Sequence, residues 1–195
     1  MSFNVLHVCT GNICRSPMAE CLTRHGLQQR LGEAASAFEV RSAGTMGFTG
    51  DSMQPFALST LRARGVDGSA FVARALHPAD IEWADLVLVA TRQHRAAAVE
   101  MSPRAARRTF TLRELDRLLS LVDPATLPTD PEDRARALVV AAAGNRGLVR
   151  PDRPEDDDLD DPYTGPESGF VVCADLVDRS LQRLLDLIAG TAPTG

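Results

Sequence analysis

Lysine is absent from this chain of 195 residues; all 21 basic residues are arginine, a bias that reads as coding composition rather than a binding feature. Set against 26 acidic residues they leave a formal charge of −5. That excludes a protein coating nucleic acid with a basic stripe. No run approaches the ~18 consecutive apolar residues that a membrane span requires. The start, Met1 to Cys9, lacks a basic region and meets a cysteine too early for a secretory signal, so a cytoplasmic location is expected. Cysteines number four, and three of them, Cys9, Cys14 and Cys21, crowd one stretch. That is no disulfide framework; in a reducing compartment such thiols are reactive or buried. No CxxC or close histidine pair completes a zinc site, so no metal is expected.

What is present suffices for one domain with its own core: 44% of residues are hydrophobic. Val5-Leu6-His7-Val8 reads as a strand ending at the turn signal Thr10-Gly11-Asn12. From Arg15 the period changes, with Met18, Cys21, Leu22 and His25 on one helical face and Ser16-Pro17 as expected N-cap and first helical residue. Phe38 to Arg41 reads as a second strand closing at Ser42-Ala43-Gly44, followed by a helix capped by Asp51 or Ser52. Residues 85–90 (DLVLVA) form a continuous apolar run, as a strand covered on both faces requires. A helix over 92–100, a strand over 108–112 and a final helix over 167–189 complete the pattern. The last carries a stripe of Phe170, Cys173, Ala174, Val177, Leu181, Leu184, Leu185 and Ile188. Alternating strands and helices predict an α/β sandwich around a parallel sheet, a single domain over 1–195. Residues 121–160, rich in proline, aspartate and arginine with a helix near 134–143, read as an insertion. Its acidic end, 155–161, has the composition of a solvated run.

The chemistry concentrates in Cys9-Thr10-Gly11-Asn12-Ile13-Cys14-Arg15-Ser16. A cysteine six residues before an arginine means little alone, because Cys173 and Arg179 repeat the spacing inside an amphipathic helix. Context separates the two. Gly11 and Asn12 tolerate left-handed backbone, letting successive N–H groups form an anion nest. The helix beginning near Arg15 aims its positive end at the same point, and Arg15 can grip two oxygens of a phosphate dianion. Cys9 below such an anion sits in a field that favours thiolate over thiol, with the Ser16 hydroxyl as a further donor. The departing alcohol then needs a proton from a positioned acid. Asp161, stiffened by Pro162 before the last helix, is the candidate.

The segment V-C-T-G-N-I-C-R-S-P-M-A-E at 8–20 resembles the signature loop of the low-molecular-weight protein tyrosine phosphatases. S-A-G-T at 42–45 and D-P-Y at 161–163 resemble that family's other landmarks. The resemblance implies a four-stranded parallel sheet between helical layers. It implies Cys9 as nucleophile, Arg15 as phosphate clamp, and Asp161 as acid and then base for water attacking a phosphocysteine. Thr10, Gly11, Asn12, Ile13, Cys14 and Ser16 would surround the phosphate, Asn12 and Ser42 would support the loop, and Ser16 would stabilise the thiolate. Cys14 would be able to pair reversibly with Cys9. No metal or cofactor is implied; the partners are phosphotyrosine-bearing proteins. Tyr163, with Met46 or Phe48, would sandwich the phenyl ring in a slot too deep for phosphoserine. Ile13 resembles the tyrosine phosphatases, whereas the related protein arginine phosphatases tend to carry threonine there.

Departures from the family pattern are Thr164 in place of a second aromatic, Ala90-Thr91-Arg92-Gln93-His94 in place of the usual Asp and Asn, and the 121–160 segment, placed to cover the pocket or bind a partner. The four histidines read as structural or solvated. A protein arginine phosphatase, a thioredoxin-coupled arsenate reductase and a non-catalytic phosphoprotein-binding module share this fold; the reductase needs further mobile cysteines, which the stretch between Cys21 and Cys173 lacks.

Overall fold

The computed structural model describes residues 2–190. Four strands, β1 (Phe3–Cys9), β2 (Phe38–Gly44), β3 (Leu86–Val89) and β4 (Thr109–Thr111), form one parallel sheet in the order β2-β1-β3-β4. Side chains alternate across it with period two. Phe3, Val5, Leu86 and Leu88 enter one core, and Leu6, Val8, Val87 and Val89 enter the other. From Leu86 to Ala90 the run is apolar throughout because both faces of β3 are covered, and all four residues of the strand are buried.

The larger core is closed by α1 (Arg15–Leu31), α2 (Pro55–Arg62), α5 (Leu112–Leu119), α6 (Pro131–Asn145) and α7 (Glu167–Ala189). The smaller is closed by α3 (Pro78–Trp83) and α4 (Arg92–Met101) through Ile81 and Ala98. This is the expected three-layer α/β architecture. The stripe of α7 is buried along its whole predicted length. Two short helices, α3 and α5, went unread in the sequence. A capping box explains α5, with the Thr111 hydroxyl accepting from the Glu114 N–H and the Glu114 carboxylate accepting from the Thr111 N–H.

Two expected helix starts are corrected. The residue preceding α1 is Cys14, and Ser16 and Pro17 lie inside the first turn. The Ser16 hydroxyl is spent on Cys9 and Asn12, while Pro17 sits where a missing N–H costs nothing. Helix α2 is capped by the Gln54 side chain, which accepts from the Phe56 N–H at 2.6 Å; Asp51 and Ser52 precede it in irregular backbone.

Within 121–160, α6 begins on the Asp130 carboxylate, which accepts from the N–H groups of Glu132 and Asp133. Arg136 of α6 bonds Asp85 and the Ser2 carbonyl, at the N-terminal ends of the strands. The Cys9 loop lies at the other end of β1, so α6 does not cover it. The acidic stretch 155–161 is not a solvated run either. Arg117 holds Asp157 through two bonds of 2.7 and 2.9 Å, and Asp157 is buried. Arg92 grips Asp158, Arg113 donates to the Asp158 carbonyl, and the Leu159 N–H donates to the Ala90 carbonyl. Three arginines thus thread the acidic segment back to the C-terminal edge of the sheet.

Candidate active site

β1 delivers Cys9, 2% exposed, to that edge, beside the point where the chain turns to β2 on one side and to β3 on the other. Ligands bind at such a switch point because the loops there diverge and leave a crevice. The loop 9–14 takes its shape from the segment after β2. The N–H groups of Thr45, Met46, Phe48 and Gln54 donate to the carbonyls of Cys9, Thr10, Gly11 and Ile13 at 2.9–3.0 Å. In a planar trans peptide the C=O and the following N–H point in opposite directions. Four carbonyls pulled outward therefore turn the N–H groups of Thr10, Gly11, Asn12 and Cys14 away from the strap and into the loop. The first turn of α1 adds its own unpaired N–H groups.

Asn12 fixes the bend. It has φ 56°, the one positive φ outside glycine among the described residues. Its side chain is fully buried and donates to the hydroxyls of Ser16 (2.9 Å) and Ser42 (2.8 Å) while accepting from the Arg74 N–H (2.9 Å). Ser16 completes the chain at 2.9 Å from Cys9 Sγ. Behind Ser42 lies buried Glu20, paired with Arg24, its carboxyl pushed up by burial. Gly44 is required by contact: a Cβ there would run into the Thr10 carbonyl and the Asn12 backbone. At Gly11 the Phe48 ring lies where a Cβ would project, so any larger residue there would push that ring aside.

The cavity over the loop, about 150 Å³, is lined by Cys9, Thr10, Gly11, Ile13, Cys14, Arg15, Phe48, Asp161 and Tyr163. Met46, offered with Phe48 as a wall, is exposed and lies outside the lining. Arg15 is buried and spans the cavity floor. Its Nη1 donates to the Leu159 carbonyl (3.1 Å), and its Nη2 donates to Thr10 Oγ1 (3.3 Å) and Asp161 Oδ2 (2.5 Å). Its Nε is buried with no hydrogen-bond partner. A buried guanidinium N–H left unpaired is costly, and an anion in the cavity would satisfy it.

Asp161 is 46% exposed at the mouth, its other oxygen accepting from the Tyr163 N–H. Burial, and then the proximity of Cys9 and the Asp161 carboxylate, push the Cys14 thiol up to about 12, so it stays protonated near neutrality. Cys21 and Cys173, pushed up by burial to about 11 and about 12, are thiols as well. All four cysteines are free. Among the described residues no cluster of His, Cys, Asp or Glu is placed to hold a metal ion, and no helix is long and apolar enough to cross a membrane.

One neighbour of the loop went unrecognised in the sequence. His94, in the first turn of α4, is buried, with Nε2 2.9 Å from Thr10 Oγ1 and Nδ1 2.7 Å from Thr91 Oγ1. Burial, and then the Arg15 charge, lower its pKa to about 4, so the imidazole is neutral. The available signal was position: Thr91 caps a helix opening at the same sheet edge as Cys9.

The profile of a family described as low molecular weight phosphotyrosine protein phosphatase matches residues 4–139. A low molecular weight protein-tyrosine-phosphatase of Streptomyces coelicolor is 31% identical over 95% of this chain and 93% of its own length. A protein-arginine-phosphatase of Geobacillus stearothermophilus is 35% identical over 58% of this chain and 72% of its own. Among solved structures, the low molecular weight protein tyrosine phosphatase from T. tengcongensis superposes with a TM-score of 0.68 at 27% identity, covering 95% of this chain and 99% of that one.

Proposed function

The chain belongs to the low molecular weight phosphotyrosine protein phosphatase family, and from that premise we propose that it hydrolyses phosphotyrosine in proteins through a phosphocysteine on Cys9. The observation that carries the reading is the unpaired Arg15 Nε beside Cys9 in a ring of inward N–H groups. A phosphate dianion entering the ring displaces Asp161 from Arg15, whose Nε and Nη2 then hold two of its oxygens. Cys9 Sγ, stabilised by the Ser16 hydroxyl, attacks phosphorus in line. The P–O bond to the phenol breaks, and the freed Asp161 carboxyl gives the leaving oxygen its proton. Asp161, now a carboxylate, takes a proton from water as that water attacks the phosphocysteine. Inorganic phosphate leaves and Cys9 is restored as thiolate.

Tyrosine is favoured by the walls. Ile13 offers no hydrogen-bonding group, and Phe48 and Tyr163 flank the opening with aromatic faces. A seryl phosphate leaves these walls bare and reaches Cys9 only by drawing its backbone into the cavity. The curated arginine phosphatase relative favours a second reading, phosphoarginine. Steady-state kcat/KM on matched phosphotyrosine, phosphoserine and phosphoarginine peptides separates them. Phosphotyrosine is expected to lead phosphoserine by ~100-fold or more, equivalent to ~2.7 kcal/mol of lost transition-state contact. A lead for phosphoarginine would transfer the assignment to that substrate. Binding of all three without turnover would make the chain a phosphoprotein-binding module.

A further inference from the structure

A relay of side chains runs from the cap of α4 into the phosphate loop. Thr91 Oγ1 meets His94 Nδ1 at 2.7 Å, His94 Nε2 meets Thr10 Oγ1 at 2.9 Å, and Thr10 Oγ1 accepts from Arg15 Nη2 at 3.3 Å. Neither Thr91 nor His94 lines the cavity over the loop. We infer that His94 is a positioning residue: acting through Thr10, it holds the Arg15 guanidinium in the plane from which Nε and Nη2 grip a phosphate.

The argument begins with the freedom of an arginine side chain. Arg15 has four rotatable bonds above a cavity, and a clamp that must find its geometry after the anion arrives forfeits part of its grip to ordering. Leu159 fixes Nη1. Nη2 has two partners, and one of them, Asp161, must let go during turnover. That leaves Thr10 as the lasting restraint on Nη2. A threonine hydroxyl on a loop rotates unless something orders it, and the buried His94 ring supplies that order. The ring is suited to the task only while neutral, because an imidazolium so near Arg15 would repel the guanidinium. The charged groups facing it are Arg15 from α1 and Asp158 and Asp161 from the acidic segment; burial, with Arg15, outweighs the two aspartates and keeps the ring uncharged.

This inference rests on the reading of Arg15 as the clamp, and the test separates the two. Glutamine at 94 places an amide near the position of Nε2, so it retains the contact to Thr10. Asparagine places one near Nδ1, so it retains only the contact to Thr91. His94→Ala, His94→Gln and His94→Asn are compared for thermal midpoint, for KM and kcat on an aryl phosphate, and for affinity toward inorganic phosphate by titration calorimetry.

Expected is a roughly tenfold weakening of phosphate binding and a matching rise in KM in His94→Ala, about the value of one lost hydrogen-bond restraint. His94→Asn should follow Ala, and His94→Gln should recover to within about threefold of wild type. Restoration by asparagine and not by glutamine would reduce His94 to a cap of α4 and overturn the inference. So would unchanged phosphate affinity in all three variants. Wild-type protein that binds phosphate but turns over no ester would overturn the phosphatase reading alone, and the calorimetric series would still decide the role of His94. Wild-type protein that binds no phosphate would overturn both.

Discussion

Asn12 is where the stability of the loop and its chemistry meet, and two substitutions divide its contributions. Alanine removes three hydrogen bonds of 2.8–2.9 Å and must still adopt φ 56°. Each bond contributes about 1 kcal/mol net, and the half-buried Arg74 N–H loses its partner while Ser42 keeps its contact to Glu20. Left-handed backbone adds about 1 kcal/mol for a residue with a Cβ. Asn12→Ala should therefore destabilise by ~4 kcal/mol and Asn12→Gly by ~3 kcal/mol, the difference being backbone strain alone. For a domain of this size that corresponds to a thermal midpoint lower by about 10 °C in Asn12→Ala, measurable by calorimetry. Activity should fall in both variants by about the same factor, because both free Ser16 from its orienting partner and loosen Cys9. Midpoints within 2 °C of wild type together with unchanged kcat would refute the view that Asn12 holds the loop. Equal destabilisation by Ala and Gly would refute the strain component.

The remaining predictions concern protons. His7 and His94 are neutral when folded, lowered to about 3 and about 4 chiefly by burial. Both take up a proton near pH 6.5 when unfolded. The unfolded state therefore binds protons first as pH falls, and stability should drop by ~2 kcal/mol per histidine between pH 7.5 and 5. Urea titrations of wild type and His7→Gln should differ in that slope by about half; equal slopes would mean that His7 is charged or exposed. Asp161→Asn should lose ~10²–10⁴-fold on phenyl phosphate and far less on nitrophenyl phosphate, whose leaving group needs no proton. Inorganic phosphate should bind that variant more tightly, because Arg15 no longer has a competing carboxylate. Equal losses on both esters would move the acid elsewhere, to Asp160 first.

The Cys9 loop was legible because it is local. Eight consecutive residues hold Cys9, the Gly11-Asn12 turn, Arg15 and the Ser16 hydroxyl, and the turn between a strand and a helix needs no distant partner to be recognised. The strands could be read because burial on both faces imposes an unbroken apolar run on β3. That Asn12 and Ser42 both support the loop followed from the family resemblance; the hydrogen bond between them, 30 residues apart, is seen in the fold. What escaped notice was set by tertiary neighbours. His94 looks like any helix-surface histidine until β3 is laid beside β1, which brings Thr10 to its ring. The 155–161 segment has the composition of a solvated run, and only the arrival of Arg92, Arg113 and Arg117 from α4 and α5 shows it tied down. Ser16 reads as an N-cap by type, yet Cys9 and Asn12 claim its hydroxyl.

The central claim is that the phosphoryl group passes through sulfur at Cys9. Rapid quenching of turnover on an aryl phosphate, followed by mass-spectrometric mapping of the trapped protein, tests it directly. The account predicts one covalent phosphoryl group on Cys9, formed within the first turnover and absent from Cys9→Ser and Arg15→Ala. Turnover with no covalent adduct, or an adduct on any residue outside the loop, would contradict it.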